Sequence, residues 1–208
     1  MAYDFSDKYI FDVIPNGVDT EVFRPSTNVK TENNVNILFV SRLIERKGLQ
    51  HIIPLLKNIQ QESNKKVCLT VVGDGPYKDK LERLIAEKQV SNMVMFEGVK
   101  KGQELVEQYQ KGDIFILPSS NEGMPNVVIE AQTTGLPCLV SDTITEECKV
   151  TDKVEFLSLK NSALEWAKRA LSMINNDTKR EDYAGKMKVA GYDIKDVAKT
   201  FLNSMKLV

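Results

Sequence analysis

The sequence predicts an α/β fold in which a Rossmann-like parallel sheet is flanked by helices. Short apolar runs alternate with amphipathic stretches from residue 35 to residue 141. The apolar runs are continuous in Val, Ile and Leu, as expected of strands that are buried on both faces of a parallel sheet. Each run is followed by a stretch with helical periodicity, so the chain has a βαβ rhythm with right-handed crossovers.

The elements follow in order along the chain. Five runs are predicted to be strands: Val35–Val40, Val67–Val72, Met93–Phe96, Asp113–Leu117 and Pro137–Ser141. The rhythm then weakens to a brief apolar run, Val154–Leu157. Three helices that we expect to wrap the sheet come last: Asn161–Ile174, Thr178–Val189 and Ile194–Lys206. The segment before the first strand is polar and is broken by Pro15 and Pro25, which is typical of a lead-in.

The composition excludes several classes of protein. A formal net charge of -1 provides no general field that would attract nucleic acid or an anionic membrane. The three cysteines are dispersed and two lie in predicted strands, so free thiols in a reducing cytoplasm are expected. With one histidine, they do not form a zinc motif. We see no signal peptide, and no apolar run approaches the roughly 20 residues that span a bilayer.

Two carboxylates carry most of the functional information. Glu122 lies in a polar loop after a predicted strand, and Glu130 lies in a helix predicted to begin near Pro125, whose fixed φ suits a first helical turn. Loops at the carboxyl ends of parallel strands are where such sheets bind ligands. The positive end of the helix dipole could hold a phosphate or sugar hydroxyls through the amides of Gly123, Met124 and Asn126.

The loop after the first strand carries two cations, Arg42 and Lys47. A guanidinium forks onto two phosphate oxygens and an ammonium acts as a point charge, so the pair suits a diphosphate. The alternative is a solvated charge run with Glu45 and Arg46. The next loop, Gly73-Asp74-Gly75-Pro76, lacks the third glycine of a dinucleotide fingerprint, so a purely structural turn stays open beside a phosphate contact.

Several ordered motifs carry a family resemblance: Ile14–Phe23, Val40–Leu43 with Lys47-Gly48, Val72–Pro76, Leu117–Ser119, the Glu122 and Glu130 pair, and Gly135-Leu136-Pro137. With them the chain resembles the C-terminal half of a retaining GT-B glycosyltransferase of the GT4 type. The stretch 141–146 resembles the capsular and exopolysaccharide subset. The N-terminal, acceptor-binding half of that architecture is missing before Ile14, so we expect an isolated domain or a truncated piece.

The resemblance implies a role for each candidate residue. It implies that Arg42 and Lys47 neutralise the leaving diphosphate without a metal, that Glu122 contacts the donor sugar and that Glu130 accepts hydrogen bonds from the ribose hydroxyls. The remaining donor-binding residues implied by the resemblance are the amide neighbours Gly123, Met124 and Asn126, the cleft-wall residues Gly73 and Asp74, and the base-loop residues Val99 and Lys100. No cofactor or metal is implied beyond the nucleotide-sugar substrate.

The expected organisation is a lead-in or interdomain linker at residues 1–34 and a donor-binding domain at residues 35–208. The expected function is metal-independent transfer from a nucleotide-diphosphate sugar, UDP-linked, to a glycan or lipid-linked acceptor in surface polysaccharide biosynthesis. The isolated domain is expected to be inactive alone. A cytoplasmic location at the inner face of the membrane, with peripheral association of the full-length enzyme, fits that role. The alternatives are a UDP-sugar 2-epimerase of GT-B fold and a non-catalytic nucleotide- or glycan-binding module.

Overall fold

A computed structural model of the chain has a six-stranded sheet at its centre. The structure describes residues 14–26, 33–177 and 182–205. All strands are parallel and their order is β3-β2-β1-β4-β5-β6. The strands are β1 (Asn34–Val40), β2 (Lys66–Val72), β3 (Val94–Gly98), β4 (Ile114–Leu117), β5 (Cys138–Ser141) and β6 (Val154–Leu157). The predicted α/β fold class is confirmed, and the strand order reverses between β1 and β4, where doubly wound sheets bind ligands.

Eight helices flank the sheet or follow it in the described part of the chain. They are α1 (Leu49–Ile52), α2 (Leu55–Ser63), α3 (Lys78–Glu87), α4 (Gly102–Lys111), α5 (Asn126–Thr133), α6 (Ala163–Asn176), α7 (Tyr183–Val189) and α8 (Ile194–Met205). Every residue of the central strands β4 and β5 is buried, which explains their uninterrupted apolar sequence. The three cysteines are free thiols, as predicted.

The predicted elements differ from the structure mainly at their ends. Met93 closes a short 3-10 turn, so β3 begins one residue later than predicted. The apolar run Val154–Leu157 forms a complete sixth strand that pairs with β5. Helix α6 begins after Ser162, because the Ser162 side chain and Glu165 form a reciprocal capping box there.

The prediction that the last helices wrap the sheet is wrong for α8. Helix α7 packs against α5 and buries Tyr183 and Met187. Helix α8 buries none of its side chains, and the apolar residues Phe201 and Leu202 remain exposed. An amphipathic pattern predicts a helix and its apolar face, but it does not identify the surface that covers the face. Positions 178–181 and 206 of the predicted helices lie outside the described residues.

Residues 14–26 pack against the rest of the fold. The Val18 amide donates to the carbonyl of Tyr192 at 2.8 Å, and the Val18 carbonyl accepts from the Ile194 amide at 2.9 Å. Phe23 lies edge-on to Tyr109 of α4, with ring centroids 6.0 Å apart. The segment predicted to be a lead-in therefore reaches α4 and the start of α8. No helix in the described ranges is both long and apolar enough to cross a bilayer.

Candidate functional site

The loops that follow β1 to β4 are joined at the carboxyl edge of the sheet. The Leu43 amide, after β1, donates to the Asp74 carbonyl, after β2, at 2.9 Å. The Gly73 amide donates to the carbonyl of Gly98, the last residue of β3, at 2.8 Å. The Ser120 amide, after β4, donates to the carbonyl of Arg46 at 2.8 Å. Because the strands are parallel, loops that are distant in sequence meet at one edge.

At two places these loops approach each other so closely that glycine is required. Gly48 has φ +82°, and a Cβ on it would lie 1.8 Å from the carbonyl oxygen of Pro118. Gly73 has φ +134°, and its Cβ would lie 1.9 Å from the carbonyl oxygen of Ser41. A side chain at either position would clash with backbone and strain φ. For Gly73, this close packing explains why a glycine is needed even without a contact to a ligand.

Lys47 and Glu122 form an ion pair between the β1 and β4 loops. Lys47 Nζ lies 2.5 Å from Glu122 Oε1, and the two side chains are only 17% and 10% exposed. Ser119 is fully buried, and its Oγ lies 2.8 Å from the same carboxylate oxygen and 2.9 Å from the Arg46 carbonyl. The structure thus brings together two of the three predicted catalytic residues, and Glu122 Oε1 is held from two sides.

Arg42, the third predicted catalytic residue, is exposed at the start of the β1 loop. Its carbonyl accepts a hydrogen bond from the Ile44 amide at 2.9 Å, which tightens the loop. Its guanidinium makes no hydrogen bond or ion pair with any residue that the structure describes. Unlike Lys47, it presents all of its donors to solvent or to a ligand.

The amino end of α5 is open. Asn126 is the first helical residue, and Pro125 before it supplies no side-chain cap, so first-turn amides lack a cap from that residue. A Cβ on Gly123 would meet nothing within 4 Å, whereas Met124 packs against the core. Asn126 Oδ1 accepts a hydrogen bond from Asn16 Nδ2 at 2.9 Å, so the segment before the sheet reaches this helix end.

Glu130 lies one turn into α5 and is mostly buried. Its Oε2 accepts a hydrogen bond of 2.7 Å from the hydroxyl of Tyr109 on α4. Burial raises the pKa of Glu130, and the Tyr109 hydrogen bond acts in the opposite direction. Tyr109 is fully buried, and its pKa is raised well above the usual range by burial and by the nearby charge of Glu130. The phenol therefore stays protonated and serves as a donor.

The other predicted residues lie on the β2 and β3 loops. Asp74 is exposed, and its Oδ1 accepts from the Gly75 amide at 2.8 Å. Val99 is 63% exposed, and Lys100 Nζ lies 3.3 Å from Glu97 Oε2. The side chain of Asp74 thus stabilises its own turn, and Lys100 is already paired, so backbone groups are the better candidates for ligand contact in these two loops.

Two cavities in the described part of the chain are lined by other residues. One of about 760 Å³ borders α4 and the starts of β1 and β4, where Asn36 and Asp113 line it. Another of about 330 Å³ lies beside the β1 and β2 loops, next to Tyr77 and Arg83. Neither is lined by Arg42, Lys47, Glu122 or Glu130. The predicted residues occupy an open edge of the sheet instead of one of these cavities.

Three residues for which the sequence predicts no role in the site contact predicted site residues in the structure: Ser119, Asn16 and Tyr109, the last of which is predicted from sequence to pack structurally. Ser119 and Asn16 stand inside quoted motifs, so position in a motif was a usable signal. Tyr109 had no such signal, because its partner is 21 residues away on another helix. Among the described residues, no group of His, Cys, Asp or Glu side chains is arranged to hold a metal ion.

Comparison with known families decides the class of the chain. The family model for glycosyl transferases group 1 matches residues 19–188, which include every predicted site residue. The chain belongs to this family of enzymes.

Its relatives agree with the family. The Bacillus subtilis protein EpsF, named as a glycosyltransferase, is 30% identical over 202 residues, which cover 92% of this chain and 52% of EpsF. The Escherichia coli UDP-Gal:α-D-GlcNAc-diphosphoundecaprenol α-1,3-galactosyltransferase is 27% identical over 184 residues, which cover 83% of this chain and 47% of that enzyme. The chain therefore spans about half the length of these relatives.

A solved structure shows the same fold. The crystal structure of Anabaena HepE in complex with UDP superposes with a TM-score of 0.75 at 19% identity, covering 95% of this chain and 57% of HepE. The described domain thus has the architecture of a known GT-B glycosyltransferase domain.

Proposed function

We propose that the chain is the donor-binding domain of a retaining glycosyltransferase and that it binds a nucleotide-diphosphate sugar, UDP-linked. The observation that carries the proposal is the contact of Lys47 with Glu122, because it brings a cation and an acid from separate loops to the open amino end of α5. The family membership, the UDP-bound HepE structure and a relative named for UDP-galactose support the choice of ligand.

In this proposal, different groups of the protein bind different parts of the ligand. Arg42 and Lys47 bind the diphosphate, and the amides near Gly123 bind its oxygens or the sugar hydroxyls. The Lys47 ammonium has three N–H donors, so its contact with Glu122 leaves others for a phosphate oxygen. Stabilising the departing diphosphate and placing the sugar are then the main contributions to rate, and no metal takes part.

Further partners follow from the same role. The acceptor is a glycan or a lipid-linked sugar that binds the other half of a full-length enzyme, which works at the cytoplasmic side of the membrane in surface polysaccharide synthesis. Residues 1–208 alone bind UDP and transfer little or no sugar. A sugar-transfer assay on this chain measures the second statement, and robust turnover would refute it.

The first experiment compares two arginines of one loop. Calorimetry measures the affinity of the chain for UDP in the wild type, in Arg42→Ala and in Arg46→Ala. Removing the Arg42 charge should weaken binding by about ten- to a hundredfold, which corresponds to a charged hydrogen bond of about 1.5–3 kcal/mol. Arg46 is also exposed on this loop, so its removal controls for net charge. Equal effects of the two variants would contradict the proposed contact.

A second experiment tests the nucleotide and the metal. Thermal unfolding is followed with UDP, GDP or ADP, each with and without EDTA, since a ligand that binds the folded state raises Tm. We expect the largest rise with UDP and no effect of EDTA. A larger rise with GDP or ADP would overturn the UDP assignment, and loss of the rise in EDTA would overturn metal independence.

A further inference from the structure

The two oxygens of Glu130 have different surroundings. Oε2 accepts the 2.7 Å hydrogen bond from Tyr109. Oε1 has no hydrogen-bond partner among the described residues, and the Glu130 side chain keeps some exposed surface, since the residue is only partly buried. The carboxylate therefore has an inner oxygen tied to the fold and an outer oxygen that can accept new hydrogen bonds.

The donor of that bond is fixed from several sides. Tyr109 has no exposed surface, and its ring packs 6.0 Å from Phe23 and 6.1 Å from Phe115, measured between centroids. Phe115 belongs to the central strand β4, and Phe23 to the segment before the sheet. A phenol held this way cannot rotate away from Glu130, and a buried hydroxyl without an acceptor would be unfavourable.

We propose that Tyr109 is a positioning residue for nucleoside recognition: its hydroxyl holds Glu130 Oε2 so that Oε1 is presented to the ribose hydroxyls of the donor. The inference rests on the proposed function and deepens it. Without the hydroxyl, the Glu130 side chain regains rotamers, and the ribose must order it upon binding. The packing of Phe23 on Tyr109 extends this support to the segment before the sheet.

The test uses Tyr109→Phe, which keeps the ring and removes only the hydroxyl. Calorimetry measures the dissociation constants of UDP and of 2′,3′-dideoxy-UDP, and their ratio reports ribose recognition. We expect the wild type to bind UDP more tightly than dideoxy-UDP. Tyr109→Phe should weaken UDP binding about three- to tenfold and leave dideoxy-UDP binding unchanged, so the preference for UDP falls by the same factor. A purely structural role would weaken both ligands equally and leave the ratio unchanged, which would overturn the inference.

The matched control is Tyr183→Phe. Tyr183 is also buried, and its hydroxyl lies 3.0 Å from a carboxylate oxygen of Asp152, which is not a predicted site residue. This variant loses the same kind of bond, so its Tm shows the general effect of removing such a hydroxyl. Its UDP to dideoxy-UDP ratio should equal that of the wild type. A changed ratio in Tyr183→Phe would show that the readout is not specific, and would overturn the assignment.

A double-variant cycle separates action through Glu130 from direct action. Glu130→Ala should abolish the preference for UDP, and adding Tyr109→Phe to it should cause no further loss, because the hydroxyl then has no carboxylate to hold. Additive losses would contradict the inference. Failure of the wild type to bind UDP would overturn the proposed function as well, whereas normal UDP binding with an unchanged ratio in Tyr109→Phe overturns the positioning role alone.

Discussion

The two acids near α5 are held in opposite ways. Glu122 meets the cation Lys47 and the hydroxyl of Ser119 on one oxygen, so its negative charge is offset where it lies. Within the described ranges, the Glu130 carboxylate has the neutral phenol of Tyr109 as its only hydrogen-bond partner, and burial raises its pKa. One acid therefore helps to join two loops, whereas burial of the other disfavours its ionised form and costs the folded state some stability, as expected of a group that serves binding.

We expect the greatest loss of stability from a glycine substitution that disturbs the contact between the β1 and β4 loops beside Glu122. Gly48→Ala should lower the free energy of unfolding by at least about 3 kcal/mol, because φ is +82° and the new Cβ would lie 1.8 Å from the Pro118 carbonyl oxygen. Urea unfolding measures the loss. Gly123→Ala is the control: nothing lies within 4 Å of its Cβ, so stability should stay within about 0.5 kcal/mol of wild type. Similar losses in both would contradict the comparison.

The ion pair itself gives the next largest effect. Lys47→Met leaves the Glu122 carboxylate, 10% exposed, without its cation, and should cost about 2 kcal/mol. Lys47→Met combined with Glu122→Gln removes both charges and should recover at least half of that loss, as measured by urea unfolding. If the double variant is no more stable than the single one, the charge of Glu122 is not what Lys47 offsets.

The sequence predicted much of the fold because the fold depends on local patterns. Apolar runs identified β1 and β4: all four residues of β4 are buried, and so are five of the seven residues of β1. The four-residue run at β6 includes Glu155 and is only partly buried, so periodicity alone did not define it as a strand. The amphipathic pattern of α8 predicted a helix correctly, but a pattern contains no information about the surface that it faces.

The candidate site was predictable only in part, for a physical reason. Parallel strands place their carboxyl ends at one edge, so a meeting of the loops that carry Lys47 and Glu122 could be expected although they are 75 residues apart. The contact of Tyr109 with Glu130 depends on how α4 and α5 are rotated against each other. That rotation is set by packing throughout the core, and no spacing in the sequence shows it.

The smallest predicted effect concerns the charge of Glu130. Burial raises the pKa of Glu130 in the folded state, so protonation of this carboxyl stabilises the fold. This contribution is fully present below the ordinary glutamate pKa and is lost as pH rises through the folded value. Glu130→Gln keeps an acceptor for Tyr109 and removes the ionisation, so at pH 7 it should raise Tm by about 2 °C. The rise should shrink as pH falls through the raised pKa, because the wild type then also becomes neutral at this position.

Glu165, whose pKa is shifted in the opposite direction, is the comparison for Glu130. Hydrogen bonds from Ser162 and Asn161 lower the pKa of Glu165, so its stabilisation is present above the ordinary glutamate pKa and is lost as pH falls. Glu165→Gln should therefore lower Tm at pH 7, while Glu130→Gln raises it. Thermal unfolding of both variants from pH 4 to pH 8 gives the two signs. If Glu130→Gln lowers Tm at pH 7 as Glu165→Gln does, the charge of Glu130 stabilises the fold, and the contrast between the two acids near α5 is lost.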